Sequence, residues 1–135
     1  MTSFTNRRIL VADDEPLVAL MVADMLGELG AIPVGPARSF KQVSAVIGAG
    51  GFDGVVLDVN LGDGLSFPVA RELRARGIPC CFATGYGGAA IPEEFADMAV
   101  LQKPYGTTAL ARSLDVMFRE VEPRPGGDDA PPPRS

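Results

Sequence analysis

Short apolar runs alternate with amphipathic segments along most of the chain. A strand that is covered on both faces has no polar side, so a short continuous apolar run is typical of a buried parallel strand. The runs predict five strands, at residues 7–12, 31–34, 53–57, 78–83 and 100–102. Because strands that alternate with helices form parallel sheets covered on both faces, we predict an α/β fold: a doubly wound five-stranded parallel sheet with about five helices.

The amphipathic segments between the runs predict the helices. The first begins at about Pro16, which the first helical turn tolerates, and ends at Gly30. Its apolar residues recur at helical spacing: Leu17, Leu20, Met21, Met25 and Leu26. Ser39 is the predicted N-cap of a second helix, at residues 39–47, whose inner face carries Phe40, Val43 and Ile47. Further segments predict helices at residues 66–76 and 107–120, and one short turn at residues 93–96.

Length and composition limit the number of domains. A chain of 135 residues suffices for one domain with a real core. We assign residues 1–6 to an N-terminal tail and residues 7–120 to the folded domain. Residues 121–135 are rich in Pro, Gly and Asp, which predicts a disordered tail.

Charge and hydropathy narrow the function classes. The formal net charge is −5, and an acidic surface repels nucleic-acid backbones and anionic lipids. No apolar run approaches the roughly 18 residues that a membrane helix needs, and no signal peptide is present. We therefore expect a cytoplasmic protein that binds neither nucleic acid nor membrane.

The reactive residue types narrow the chemistry further. The chain has no histidine, which excludes histidine metal sites and Ser-His or Cys-His catalysis. Its two cysteines, Cys80 and Cys81, are adjacent and lie in an apolar run. Neighbouring cysteines rarely reach disulfide geometry, so we interpret both as core thiols.

Polar residues follow four of the predicted strands: the Asp13–Asp14 pair, Asp58, Thr84 and Lys103. The carboxyl ends of parallel strands meet at one edge of a sheet, where such folds bind their ligands. Three carboxylates gathered there repel one another unless a cation lies among them, and an oxygen-only ligand set favours Mg²⁺ or Mn²⁺. A lysine and a threonine hydroxyl would hold a phosphoryl group beside that ion, with Asp58 as the candidate nucleophile.

Four motifs at these positions carry a family resemblance. VADDEP, VVLDVNLGDG, FATGY and LQKPY occur in this order, and together they resemble the receiver domain of bacterial two-component response regulators. The resemblance spans residues 7–120, and FATGY resembles a single-domain subgroup that is common in alphaproteobacteria. It implies a flavodoxin-like receiver fold.

The resemblance also implies roles for individual residues. Asp58 is implied to be the phosphoacceptor. Asp14 would bind Mg²⁺ directly and Asp13 largely through water, while Asp58 and the backbone carbonyl of Asn60 would complete the protein ligands.

The phosphoryl group has its own implied partners. Lys103 would contact its oxygens, and Thr84 would donate a hydrogen bond to them in the active state. The peptide bond before Pro104 is implied to be cis.

The chain departs from the usual receiver pattern at three places. The aromatic residue usually found three positions before the lysine is Val100, so Tyr86 or Tyr105 could take its part. The proline often found in the loop after the phosphoacceptor is Gly62, and the segment after Thr84 is rich in glycine where many receivers begin a fourth helix. We expect residues 85–97 to become ordered on phosphorylation.

Three other acidic residues have simpler interpretations. Asp53 and Asp63 are predicted to be solvent-facing turn residues. Glu15 is predicted to be an exposed residue of the first helical turn, with an indirect place near the metal as the alternative.

The expected function is that of a stand-alone response regulator. A sensor histidine kinase or a histidine phosphotransfer protein would phosphorylate it, and it would bind a partner or act as a phosphate sink, without being an enzyme. The alternative is a Mg²⁺-dependent aspartyl-phosphate phosphohydrolase, which would want a second Asp where this chain has Asn60. A flavodoxin-like electron carrier is disfavoured, because Asp13 and its acidic neighbours would repel the flavin phosphate.

Overall fold

The computed structural model describes residues 3–85 and 90–119 and contains one parallel sheet. Its strands are β1 (Arg8–Ala12), β2 (Ile32–Ala37), β3 (Gly54–Asp58), β4 (Cys80–Thr84) and β5 (Val100–Gln102). The strand order is β2-β1-β3-β4-β5, with every neighbouring pair parallel. The predicted sheet is confirmed, although β2 runs three residues further than the apolar run that identified it.

The described part of the chain has four α-helices, of which three connect strands and the fourth follows β5. They are α1 (Pro16–Glu28), α2 (Phe40–Ala49), α3 (Phe67–Ala75) and α4 (Thr107–Met117). The Ser39 hydroxyl caps α2 by accepting the Gln42 N–H at 3.1 Å, as predicted. Between β4 and β5 the described residues form only a 3-10 turn, Glu93–Phe95, so the count lies just below the expected five helices.

The core consists of two apolar layers, one on each face of the sheet. Side chains of α2 and α3 pack on one face and those of α1 and α4 on the other. Cys80 and Cys81, at successive positions of β4, belong one to each layer, and both are free thiols. Cys80 and Cys81 are 8% and 0% exposed, so the interpretation of the pair as core thiols is confirmed, and burial raises the pKa of Cys80 to about 12.

The buried face of α1 differs from the one that its large apolar residues suggest. Leu17, Leu20 and Met21 are 74%, 58% and 57% exposed. The helix instead buries its smaller residues Ala19 and Val22, together with Leu26. Because α1 is apolar around most of its circumference, helical spacing alone did not identify the face that meets the sheet.

The interpretation of Asp53 as a solvent-facing residue was wrong. Asp53 is 6% exposed, and its carboxylate accepts the Arg8 N–H at 2.8 Å at the start of β1. Asp53 therefore provides the hydrogen-bond acceptor for the main-chain N–H at the start of β1. Asp63 is exposed as predicted, and its carboxylate accepts the Phe40 N–H at 3.2 Å.

The folded unit includes residues that we assigned to the N-terminal tail. Phe4 is 2% exposed within the α1–α4 layer, and the Asn6 N–H donates to the Gly30 carbonyl at 2.8 Å. The predicted tail at residues 121–135 lies outside the described residues. None of the helices in the described ranges has the length and apolar character that a bilayer span requires.

Candidate functional site

Two aspartates lie at the carboxyl ends of the central strands β1 and β3. Asp58 is the last residue of β3 and is 5% exposed, and Asp13, which follows β1, is 3% exposed. Asp13 is fixed by its N–H, which donates to the Ala37 carbonyl at 3.0 Å, and by its carboxylate, which accepts the Glu15 N–H at 2.9 Å. One carboxylate oxygen each from Asp13, Asp14, Glu15 and Asp58 lies within 4.8 Å of the others.

Lys103 enters this acidic cluster from the end of β5. Its Nζ lies 2.9 Å from Asp58 Oδ2, 2.9 Å from Asp13 Oδ2 and 3.2 Å from Glu15 Oε1. The Lys103 N–H donates to the Thr84 carbonyl at 2.8 Å, which holds the lysine beside the end of β4. The Lys103–Pro104 peptide bond is cis, as the resemblance implies.

The acidic cluster carries more negative than positive charge. Burial raises the pKa of Asp58 from 3.8 to about 6, and the charge of Asp13 adds to the rise, although hydrogen bonding to Lys103 opposes it. Burial lowers the pKa of Lys103, but its hydrogen bonds to Asp58 and Asp13 outweigh burial, so the net direction is upward. One ammonium therefore faces four carboxylates, an arrangement that favours a further cation.

Gly62 brings the loop after β3 close to the half-buried Asp14. A Cβ at this position would come within 2.6 Å of Asp14 Oδ2, and the Gly62 φ of +88° lies in the left-handed region. The left-handed φ favours glycine, and any larger side chain would have to displace the Asp14 carboxylate. The departure from the usual receiver proline at this position therefore matches a loop that passes directly over a predicted metal ligand.

Hydrogen bonds fix Asp58 and the loop that follows it. The Asn60 N–H donates to Asp58 Oδ1 at 3.1 Å, and Asn60 Oδ1 accepts the Gly62 N–H at 2.8 Å. The buried Ser66 hydroxyl donates to the Asp58 carbonyl at 2.6 Å. The sequence predicts Ser66 only as the first residue of a helix. Its side chain makes no capping bond to α3, and no sequence signal distinguishes the two roles.

Glu15 is exposed, as predicted, but it is also part of the cluster. Its side chain is 60% exposed and reaches Lys103 at 3.2 Å. The alternative place near the metal, which the sequence left open, is therefore compatible with the structure.

Thr84 lies at the rim of the site. It is the last residue of β4, and its hydroxyl donates a long hydrogen bond, 3.4 Å, to the Gly85 carbonyl. Val100 is 44% exposed at the start of β5. The Tyr105 hydroxyl is buried without a hydrogen-bond partner among the described residues. Tyr86 lies outside the described ranges.

Comparison with known proteins places this site in a family. No family model matches the chain. The solution structure of SdrG from Sphingomonas melonis Fr1 is 41% identical with a TM-score of 0.76, over 87% of this chain and 98% of that one. The REC domain of the PhyR response regulator from Erythrobacter litoralis has the same fold at 20% identity, with a TM-score of 0.71 over 88% of this chain and 95% of that one.

A curated relative is longer than this chain. The transcriptional regulatory protein PdtaR of Mycobacterium tuberculosis is 29% identical over 122 residues, which is 85% of this chain. The match covers 60% of that protein, so the chain spans somewhat less than two thirds of its length. The identity to SdrG over nearly all of that structure, together with the sheet order, shows the family. The chain belongs to the receiver domains of bacterial two-component response regulators.

Proposed function

We propose that this protein is a cytoplasmic response regulator whose Asp58 accepts a phosphoryl group in a Mg²⁺-dependent reaction. The observation that carries the proposal is the contact of Lys103 Nζ with both Asp58 and Asp13, each at 2.9 Å, inside a cluster of four carboxylates. Phosphoryl transfer depends on positioning and charge neutralisation, and this cluster supports both.

The Asp58 carboxylate is suited to be the nucleophile. At neutral pH it is largely ionised, since its pKa is about 6, and the Asn60 N–H and Lys103 Nζ hold one oxygen each. A carboxylate oxygen forms a bond to phosphorus while the bond from phosphorus to the donor breaks, and the donor leaves with that electron pair. Lys103 then stabilises the negative charge of the phosphoryl oxygens.

The donor set of the site fits a magnesium ion. Asp13, Asp14, Glu15 and Asp58 offer only oxygen atoms, which hard cations prefer. The Gly62 loop passes close to Asp14, so the backbone after β3 lies next to the predicted ligands, which include the Asn60 carbonyl. Mg²⁺ would neutralise the carboxylates and the transferred phosphoryl oxygens.

The partners follow from this chemistry. The phosphodonor is a sensor histidine kinase or a histidine phosphotransfer protein, and the output is phosphorylation-dependent binding of a protein partner or removal of phosphate from a shared kinase. Self-phosphorylation and self-dephosphorylation are the only catalysis that we expect. The phosphohydrolase alternative is not favoured, because Asn60 stands where the second acid would be needed.

The test is the intact mass of the protein after incubation with acetyl phosphate and Mg²⁺. We expect a gain of one phosphoryl group that EDTA abolishes and that Asp58→Asn removes. Asp53→Asn is the matched control, since it changes an equally buried carboxylate beside the opposite end of β3. A phosphoryl gain in Asp58→Asn, or no gain in the wild type, would overturn the proposal.

A further inference from the structure

Two arginines of α3 bind the short turn that precedes β5. The Arg71 guanidinium donates to the Glu94 carboxylate at 2.7, 3.0 and 3.1 Å. The Arg74 guanidinium donates to the Glu94 main-chain carbonyl at 2.7 Å and to the Asp97 carboxylate at 3.0 and 3.2 Å. We call these four residues the arginine latch.

Phe95 lies directly beneath the latch. Its side chain is fully buried, and the guanidinium carbons of Arg71 and Arg74 lie 5.8 and 5.4 Å from its ring centroid. The ring also stacks on Phe67 at 6.1 Å and meets the edge of Phe82 at 5.4 Å. The turn is thus attached to the domain by one aromatic ring and two cations above it.

Among the residues that the structure describes, the backbone of the turn makes few hydrogen bonds to the rest of the fold. The N–H groups of Phe95, Ala96 and Met98 donate to carbonyls of residues 92, 93 and 95, all within the segment itself. The first backbone bond to a strand is at Ala99, whose carbonyl accepts the Phe82 N–H at 3.0 Å. Side-chain contacts, with the latch among them, therefore determine where residues 93–97 lie.

The aromatic contacts connect the turn to the site. Phe82 is two residues before Thr84 on β4. Phe67 follows Ser66, whose hydroxyl donates to the Asp58 carbonyl at 2.6 Å. If either chain segment moved towards a phosphoryl group on Asp58, the Phe95 ring would move with it. The movement would strain the ion pairs of the arginine latch.

We propose that the arginine latch is an autoinhibitory contact, which holds the Glu93–Phe95 turn on α3 in the unphosphorylated protein and opens on phosphorylation. Residues 93–97 already contact α3 in this structure, so for them release replaces the expected ordering on phosphorylation. This inference rests on the proposed function of Asp58. The side chains of both latch pairs are between 46% and 75% exposed, so solvent and salt weaken them, and they can open without unfolding the domain. The buried Phe95 ring anchors the segment to the core, so opening of the ion pairs frees the backbone of residues 93–97 without detaching the segment from the domain.

The chain provides a matched control on the same helix. Arg76 pairs with Glu72 at 3.1 Å, with side chains 48% and 42% exposed, but this pair stays within α3 and its C-cap and does not reach the turn. Its removal changes the charge of α3 as the loss of one latch arginine does, without releasing residues 93–97.

The test compares Arg71→Gln/Arg74→Gln with Arg76→Gln in the full chain. One measurement is amide hydrogen exchange at Phe95, Ala96 and Met98. The other is the affinity for beryllium fluoride, a phosphoryl mimic, in the presence of Mg²⁺. Opening of the latch should speed exchange about tenfold and tighten beryllium fluoride binding about threefold, while the control matches the wild type.

Each outcome separates the latch from the proposed function. Faster exchange with unchanged or weaker beryllium fluoride binding overturns the autoinhibitory role, and unchanged exchange overturns the latch itself. If the wild type does not bind beryllium fluoride with Mg²⁺, the proposed function and the coupling both fail. Should the double variant not fold, Glu94→Gln removes the Arg71 pair at nearly constant volume and is judged by the same two measurements.

Discussion

The carboxylate of Asp58, the proposed phosphoacceptor, should destabilise the metal-free protein, so Asp58→Asn should be more stable than the wild type. Asp58 is buried beside Asp13, and its pKa is about 6 in the folded protein against an ordinary 3.8. The difference corresponds to about 3 kcal/mol by which folding disfavours the ionised carboxylate at neutral pH. Asparagine keeps the shape of the side chain and removes the charge.

The loss of the Lys103 ion pair is already included in this difference, because the hydrogen bond and the charge of Lys103 both lower the pKa of Asp58. Lys103 Nζ contacts Asp58 at 2.9 Å, and the variant replaces that contact with a weaker one to an amide. Lys103 keeps Asp13, also at 2.9 Å, so it is not left unpaired. We therefore expect Asp58→Asn to gain up to about 3 kcal/mol in stability near pH 7.5.

The pH dependence of stability follows from the same pKa shift and provides a second test. Because the folded pKa lies above the unfolded one, the folded state binds the extra proton between about pH 6 and pH 4, and the wild type gains stability as the pH falls through this window. Asp58→Asn lacks this group, so its advantage should shrink as the solution is acidified and vanish near about pH 4.

The assay is urea unfolding in EDTA followed by circular dichroism, at several pH values between neutral and acidic. Asp53→Asn is the control and should be destabilised, since its carboxylate accepts the main-chain N–H of Arg8 at 2.8 Å. If Asp58→Asn is no more stable than the wild type at neutral pH, or if its advantage does not depend on pH, the electrostatic account of the cluster is refuted.

Two substitutions around the cluster give further predictions. Gly62→Ala should lower stability by about 1 to 2 kcal/mol and weaken Mg²⁺ binding in titration calorimetry, because φ is +88° and the new Cβ would meet Asp14 Oδ2 at 2.6 Å. Gly30→Ala is its control, with a φ of +91° but nothing within 4 Å, so it should lose stability while Mg²⁺ affinity stays the same. Ser66→Ala should cost about 1 to 3 kcal/mol in urea unfolding, because it leaves the buried Asp58 carbonyl without its 2.6 Å donor; a loss below about 0.5 kcal/mol would contradict this assignment.

The sheet could be predicted because its signal is local. Each strand is a short apolar run, and the polar residue that ends the run also marks the carboxyl edge, so Asp58 and Lys103 could be placed at one edge from order alone. Their contact at 2.9 Å follows from the topology, which brings the ends of β3 and β5 to the same side of the sheet.

Other features depend on distances that no local pattern contains. Asp53 resembles any turn aspartate, yet it is buried because the start of β1 presents the Arg8 N–H to it. Ser66 resembles an N-cap, yet its hydroxyl donates a hydrogen bond to the Asp58 carbonyl, eight residues earlier in the chain. In both cases the side chain bonds to a main-chain group that only the tertiary fold brings near.

The contacts of the segment between β4 and β5 also could not be predicted from local sequence patterns. The glycine-rich sequence predicts a weak helix at most, and the structure has one 3-10 turn there. What holds this turn is the Phe95 ring beneath Arg71 and Arg74, and these arginines look in the sequence like ordinary solvent-facing residues of an amphipathic helix. Apolar periodicity therefore locates α3 but does not reveal that its polar face has a partner.

The residues that the sequence identifies most readily are also those whose placement opposes folding. Asp13 and Asp58, both nearly buried, contact the same ammonium group of Lys103. The raised pKa of Asp58 shows that this one positive charge does not fully compensate the burial of the two carboxylates. A site optimised for stability would replace one of the acids with a neutral residue. The excess negative charge is useful only if a cation enters the cluster. On this reasoning the electrostatic cost of the cluster and the proposed affinity for Mg²⁺ have one cause, the excess of carboxylates over ammonium groups, so a substitution that relieves the first should weaken the second.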